Sequence, residues 1–345
     1  MTWVECEDMS KKLLAYLGPG PITEEDTKKL THINIAFGRL FCDGTLEAAE
    51  HEKVKMIPTL RAWNPEIKIL VSLVNGQPGA FTTCSADQTK REIVGQNIAK
   101  LVKECDLDGI DLDWEFPCVP SNGQDATLAD KTNFTYLCKE IRKALDEAFE
   151  EHKLFTIAAG ADLYYVRAVE LPKLMEYLDY ICLMTYDLKC GFHALAGHHT
   201  SLYSNVGDVF MNSCDQALRL FHAEGVPKDR LLMGAAFYSR KWEGIQDRNH
   251  GLLQICKFGG GYGPDYTFLD ADYINKNGYV RYWDDEAKAP YLFNGSTFLS
   301  YDDEQSLAEK AKYVMEEGYG GIFYWEHKCD LTGKLLNTLY KGLNK

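Results

Sequence analysis

Residues 108–117 read Asp-Gly-Ile-Asp-Leu-Asp-Trp-Glu-Phe-Pro. Asp111, Asp113 and Glu115 alternate with Ile110, Leu112, Trp114 and Phe116, which is the two-residue period of a β-strand. Such a strand has one acidic face and one wholly apolar face. Acids two residues apart along it stand about 6.6 Å from one another. Like charges that close raise each other's pKa and oppose folding, and acids are depleted in strands in general. An exposed edge strand could turn its acids to water, but such acids are usually interleaved with Lys or Thr. The apolar face here reads instead as a buried strand whose carboxylates serve an active site.

Working outward, similar short apolar runs bounded by turn or charged residues lie at 13–17, 32–38, 68–74, 109–116, 154–160, 179–186, 231–237 and 320–325. Helix-patterned segments at 85–104, 130–150, 166–177, 212–224 and 303–317 separate most of them. Strand-helix alternation implies parallel strands joined by right-handed crossovers. Eight such units close into an α/β fold, the (β/α)8 TIM barrel. The competing doubly wound open sheet lacks support, because no Gly-rich phosphate loop follows the first run.

One connection is too long. About 80 residues separate the seventh run from the eighth, whereas a crossover helix with its loops needs roughly 25. Residues 303–317 supply that helix, so 241–300 are surplus. The surplus is aromatic and β-prone, as in Tyr279-Val280-Arg281-Tyr282-Trp283 and Tyr291-Leu292-Phe293. It reads as a small α+β insertion on the C-terminal rim, walling one side of a groove, with 1–240 and 301–345 forming the barrel.

The bulk numbers limit the function. A chain of 345 residues with 46% hydrophobic content fits one large barrel with an insertion. A net charge of -14 and a pI near 5.1 argue against nucleic acid and anionic membrane as partners. Apolar runs are too short to span a bilayer. The 11 cysteines include no Cys-x-x-Cys pair, so no zinc or redox motif is present, and several sit in apolar runs as small core residues. Met1–Cys6 lacks the basic and apolar regions of a signal peptide. The expectation is a cytoplasmic monomer with reduced thiols, or a secreted one if the chain has been trimmed.

Barrel strands alternate between interior and helix layer, and active sites lie at their C-terminal ends. Asp111, Asp113 and Glu115 then point inward, with Glu115 nearest the open end. Repulsion down the column is expected to raise the pKa of Glu115 into the range of a general acid. Asp108 has the opposite parity and reads as structural.

The octet Asp-Gly-Ile-Asp-Leu-Asp-Trp-Glu resembles the Asp-x-x-Asp-x-Asp-x-Glu signature of the family 18 glycoside hydrolases, the chitinase family. Met184-Thr185-Tyr186-Asp187 resembles that family's Met-x-Tyr-Asp, and Phe237-Tyr238-Ser239-Arg240 its Tyr-Gly-Arg, with Ser239 in place of Gly. Trp325 falls where the family places an indole beneath the reacting sugar. Gly197-His198-His199-Thr200-Ser201-Leu202-Tyr203 resembles its Gly-His-Asn-Ala-Pro-Leu-Tyr loop. One departure is Ser72-Leu73-Val74-Asn75-Gly76, where the family has Ser-x-Gly-Gly.

The resemblance implies retaining hydrolysis of β-1,4-linked N-acetylglucosamine, in chitin or chitooligosaccharides, with no metal or other cofactor. Glu115 would protonate the leaving oxygen while the sugar's own 2-acetamido carbonyl attacks C1. Asp113 would orient the acetamide, Asp111 would tune Asp113, and Tyr186 would hold the acetamide oxygen. Asp187, Trp325, Met184, Tyr238 and Arg240 are the candidate substrate-binding residues. For Asp187 the alternative is a loop cap, for Met184 the core, and for Tyr238 and Arg240 a stacked surface pair. Trp242 and Trp283 could be sugar platforms or packing for the insertion. Alternative functions are an endo-β-N-acetylglucosaminidase, a peptidoglycan-cleaving relative, or a chitin-binding lectin.

Overall fold

The computed structural model describes residues 11–48, 50–121, 123, 125–191 and 193–344. Eight parallel strands form its centre: Lys12–Leu17, His32–Leu40, Lys68–Asn75, Gly109–Leu112, Leu154–Gly160, Tyr180–Met184, Leu231–Ala236 and Gly321–Trp325. Each pairs with the next. The first also pairs with the eighth, Leu13 opposite Ile322, so the sheet closes into a (β/α)8 barrel. A short strand, Leu46–Glu47, adds to the rim of the second.

Helices cover the outside. Gln88–Glu104 begins at Asp87, whose carboxylate accepts from the Lys90 amide, and packs on Asp130–Ala148. Glu304–Glu317 is the last crossover; Asp303 caps its start, and Gly318 ends it in the left-handed region at φ 79°. The apolar sides of strands and helices form one continuous core. Among the described residues, no helix is long and apolar enough to cross a membrane.

The acidic motif is locked at both ends. Asp108 accepts from the Ile69 amide at 2.8 Å and from Arg61 at 3.0 Å, tying the start of the fourth strand to the third. A Cβ on Gly109 would lie 2.0 Å from the Leu154 carbonyl oxygen, so only glycine fits there. The strand is shorter than its alternation suggests. It ends at Leu112, with one more bond from the Asp113 amide to the Leu73 carbonyl. The chain departs there as Trp114 packs outward, stacked on Phe81 at 5.3 Å and edge-on to Phe134 at 5.2 Å. The sixth strand likewise stops at Met184, before Tyr186.

A second, five-stranded antiparallel sheet uses Tyr238–Glu243, Phe258–Asp265, Val280–Asp284, Ala289–Phe293 and Thr297–Ser300. Its first strand begins at Tyr238, directly after the seventh barrel strand and three residues before position 241. Trp242, Ile245, Leu252, Tyr291, Phe293 and Phe298 give it an apolar core of its own. The segment leading into its second strand is tied to the loop after the sixth barrel strand, with Leu195 bridged to Ile255. The ten described cysteines are free thiols; Cys6 lies outside the described residues.

Candidate active site

Asp111 sits at the bottom of the column, fully buried, with three hydroxyls donating to it. These come from Tyr16 at 2.9 Å, Ser72 at 2.7 Å and Thr156 at 2.6 Å. Ser72, Asp111 and Thr156 share one register level across three adjacent strands. Burial raises the Asp111 carboxyl above its ordinary range, although the three hydroxyls oppose the rise.

Asp113 is one step higher. Burial pushes its carboxyl well up, and the charges of Glu115 and Asp111 push the same way. Among the described residues its Oδ1 is buried and has no hydrogen-bond partner. A buried carboxyl oxygen without a donor is costly, so this atom is poised for a donor from outside the protein.

Glu115 is pushed up to about 7, first by burial and then by the charge of Asp187. The sequence-based expectation was that its own column would do this. Repulsion within the column is mutual and raises Asp113 too, and Asp187, just past the sixth strand, adds a charge that the strand's alternation does not reveal.

Asp187 adopts a left-handed backbone, φ 56°. Its carboxylate accepts from the Tyr238 hydroxyl at 2.6 Å and from Arg240 Nε at 2.7 Å, while Arg240 Nη2 contacts its other oxygen. His199 Nδ1 stands 3.5 Å away. Burial alone would raise this carboxyl, but His199 and Arg240 hold it well below the usual range. Asp187 therefore remains charged while Glu115 can remain protonated. Separating the pKa values of two neighbouring carboxyls in this way assigns their roles. Tyr238 and Arg240, which could have been a surface pair, are buried and act on Asp187.

Tyr186 and Met184 also line the cavity. Burial raises the Tyr186 hydroxyl far above its ordinary value, as do Asp113 and Glu115, so it stays a proton donor. Trp325 ends the eighth strand with its ring stacked on Phe37 at 5.3 Å and tilted against Tyr16 at 5.8 Å. The whole encloses a cavity of about 1000 Å³. Trp242 and Trp283, the two other candidate sugar platforms, do not line it. Trp242 is wholly buried in the insertion, and Trp283 Nε1 donates to Asp285 at 3.3 Å.

Sequence reasoning missed several neighbours: Tyr16 and Phe37 on the first two strands, Tyr164 after the fifth, and Tyr262 in the insertion. His199, in the Gly197–Tyr203 loop, also belongs to the site through Asp187, a role its sequence context does not signal. Val74, at the departure after Ser72, forms part of the wall, and the Asn75 side-chain oxygen accepts from the Phe81 amide. The assembly can thus offer a proton near neutral pH, accept an N–H at Asp113, donate a hydroxyl from Tyr186, and seat a flat ring on Trp325.

Residues 10–330 match the profile of Glycosyl hydrolases family 18. Chitinase A1 of Niallia circulans is 33% identical over 327 residues, covering 89% of this chain and 47% of that protein. A probable endochitinase of Caenorhabditis elegans is 28% identical, covering 86% of this chain and 51% of that protein. The chain thus spans about half the length of these relatives. Among solved structures, a glycoside hydrolase family 18 N-acetylglucosaminidase from Paenibacillus barengoltzii superposes with a TM-score of 0.94 at 44% identity, covering 96% of this chain and 99% of that one. The chain belongs to glycosyl hydrolase family 18.

Proposed function

We propose that this family 18 chain hydrolyses β-1,4-linked N-acetylglucosamine oligomers with retention, through participation of the substrate's 2-acetamido group. The names of its relatives, chitinases and an N-acetylglucosaminidase, support the substrate class. The observation that carries the chemistry is the unpartnered, buried Oδ1 of Asp113 beside an acid with a pKa of about 7.

Glu115 gives its proton to the glycosidic oxygen while the acetamide carbonyl oxygen attacks C1 from the opposite side. The C1–O bond breaks, and the leaving sugar departs as an alcohol. Asp113 Oδ1 accepts the acetamide N–H, which aims the carbonyl and offsets the positive charge gathering on the oxazolinium ring. Tyr186 donates to the same acetamide from its buried hydroxyl. Trp325 carries the sugar's apolar face. Glu115, now a carboxylate, then takes a proton from water as that water attacks C1 and reopens the ring, leaving the product with its original anomeric configuration. The chain itself supplies no nucleophile in this scheme, so an acid and its helper on one strand suffice.

Glu115→Gln keeps the shape of the side chain and removes the transferable proton. Turnover of chitotetraose should fall by about 10²–10⁴-fold, the usual share of proton transfer, with thermal unfolding unchanged in character. NMR of wild-type product within the first minutes should show the β-anomer. Comparable turnover by the variant, or an α-anomer, contradicts the scheme. A high-mannose glycopeptide cleaved in preference to chitotetraose would favour the endo-β-N-acetylglucosaminidase reading.

A further inference from the structure

We propose that Val74 is a specificity-determining residue. Its side chain admits a reacting sugar with a free C3 hydroxyl and turns away one whose C3 oxygen carries a substituent, as in N-acetylmuramic acid. This rests on the function proposed above and narrows its substrate class.

Register places the residue. Ser72 and Asp111 face one another across the third and fourth strands, hydroxyl to carboxylate at 2.7 Å. Side chains on a strand return to the same face every two residues. One inward step up both strands therefore sets Val74 beside Asp113, and the Asp113 amide fixes the level by donating to the Leu73 carbonyl at 2.9 Å. Val74 accordingly lines the cavity with Asp113 and Glu115. On the fifth strand the same step leads from Thr156, which also donates to Asp111, to Ala158. Asp113 thus has a branched side chain on one flank and a single methyl on the other.

Val74 cannot move aside. Its branched Cβ makes χ1 stiff, and its backbone is paired with Arg39 of the second strand. Just beyond it, the Asn75 side-chain oxygen accepts from the Phe81 amide at 2.9 Å, and the Gly76 amide donates to the Leu40 carbonyl at 2.7 Å. The family's Ser-x-Gly-Gly has glycine at this place, so the two methyls are a feature of this chain.

The acetamido group needs room beside Asp113, and that room lies on the Ala158 flank. Met184 and Tyr186, from the sixth strand and its loop, line the cavity on the same side. With C2 over Asp113 and its acetamide turned toward Ala158 and Tyr186, C1 stands at Glu115. The other neighbour of C2 is C3, which is left on the Val74 flank. A hydroxyl there fits against the two methyls, whereas an ether collides with them. A fixed clash of this kind is one way a site rejects a close analogue.

The test uses p-nitrophenyl chitobiosides whose reacting sugar carries a free C3 hydroxyl, a 3-O-methyl ether or, as a control, a 6-O-methyl ether. For the wild type, kcat/KM on the free compound should exceed that on the 3-O-methyl ether about 10–100-fold. In Val74→Gly, and less fully in Val74→Ala, that ratio should shrink about tenfold, while the ratio of free compound to 6-O-methyl ether stays as in the wild type. Val74→Thr keeps the bulk and should keep the wild-type ratio. Turnover of the free compound reports that each variant is folded. A wild type that cleaves the 3-O-methyl ether as readily as the free compound overturns the proposal. So does a Val74→Gly ratio equal to that of the wild type, or one that shrinks equally for both ethers. If the wild type leaves even the free compound uncleaved, the acetamido-sugar reading itself fails.

Discussion

Replacing Asp187 with Asn should move the alkaline limb of the pH–rate profile toward acid, and replacing Arg240 with Gln should move it the other way. Glu115 has an ordinary pKa of 4.5 and is raised to about 7, with burial as the larger cause and Asp187 as the smaller. Asp187 thus supplies the smaller part of the rise, and its removal lowers the Glu115 pKa. In Asp187→Asn that charge is gone and the Arg240 guanidinium loses its partner, and both changes favour ionised Glu115. A general acid works only while protonated, so activity would be lost at a lower pH than the wild type's limb near 7. In Arg240→Gln the charge of Asp187 is less compensated, Glu115 holds its proton more tightly, and the limb moves above 7. The measurement is kcat/KM on chitotetraose against pH, since that quantity reports the free enzyme's groups. Both variants will lose some absolute activity because Asp187 lines the cleft, so the pH of the limb is the quantity compared. If Asp187→Asn leaves the limb at 7 or raises it, Asp187 does not set the acid.

Two further outcomes rest on the same packing. Asp113 has its folded-state pKa raised, so its contribution to stability is fully present below the ordinary value near 3.8 and is lost as pH rises through the folded value. Asp113→Asn mimics the protonated form. At pH 7 it should melt a few degrees above wild type, with the gap closing toward pH 4, while kcat falls on the order of 10²-fold or more; calorimetry across pH beside a turnover assay shows both, and a lower melting point at pH 7 contradicts this account. Gly109→Ala would place a methyl 2.0 Å from the Leu154 carbonyl oxygen. Urea unfolding should show a loss of about 2–3 kcal/mol or more, and a variant as stable as wild type would mean that the fourth and fifth strands separate easily.

Much of the fold was legible because its signals are local. The octet at 108–115 fixes one strand and its inward face, and the 80-residue gap after the seventh strand announces the insertion. Trp325 could be placed from its position at the end of the last strand. The clamp on Asp187 was not legible, since Tyr238, Arg240 and His199 approach it from separate segments and only the folded chain shows them around one carboxylate. The three hydroxyls on Asp111 depend on cross-strand register, which no single strand reveals. Tyr262 stands in Gly259-Gly260-Gly261-Tyr262-Gly263, where nothing in the run itself shows that the fold sets it in a strand beside the cleft. The charge of Asp187 on Glu115 was not legible either, because Asp187 comes from the loop after the sixth strand and meets the acid only in the fold.

The central claim is that the substrate's acetamido group, aimed by Asp113, is the nucleophile. Its most direct test is a set of chitobiosides of one leaving group, in which the N-acetyl on the reacting sugar becomes mono-, di- and trifluoroacetyl and finally a 2-hydroxyl. Fluorine weakens the carbonyl oxygen as a nucleophile without changing its place. kcat/KM should fall with each fluorine, and the 2-hydroxyl compound should be cleaved more than about a thousandfold more slowly, because an intramolecular nucleophile has been lost. A rate indifferent to fluorination, or ready cleavage of the 2-hydroxyl compound, would contradict it.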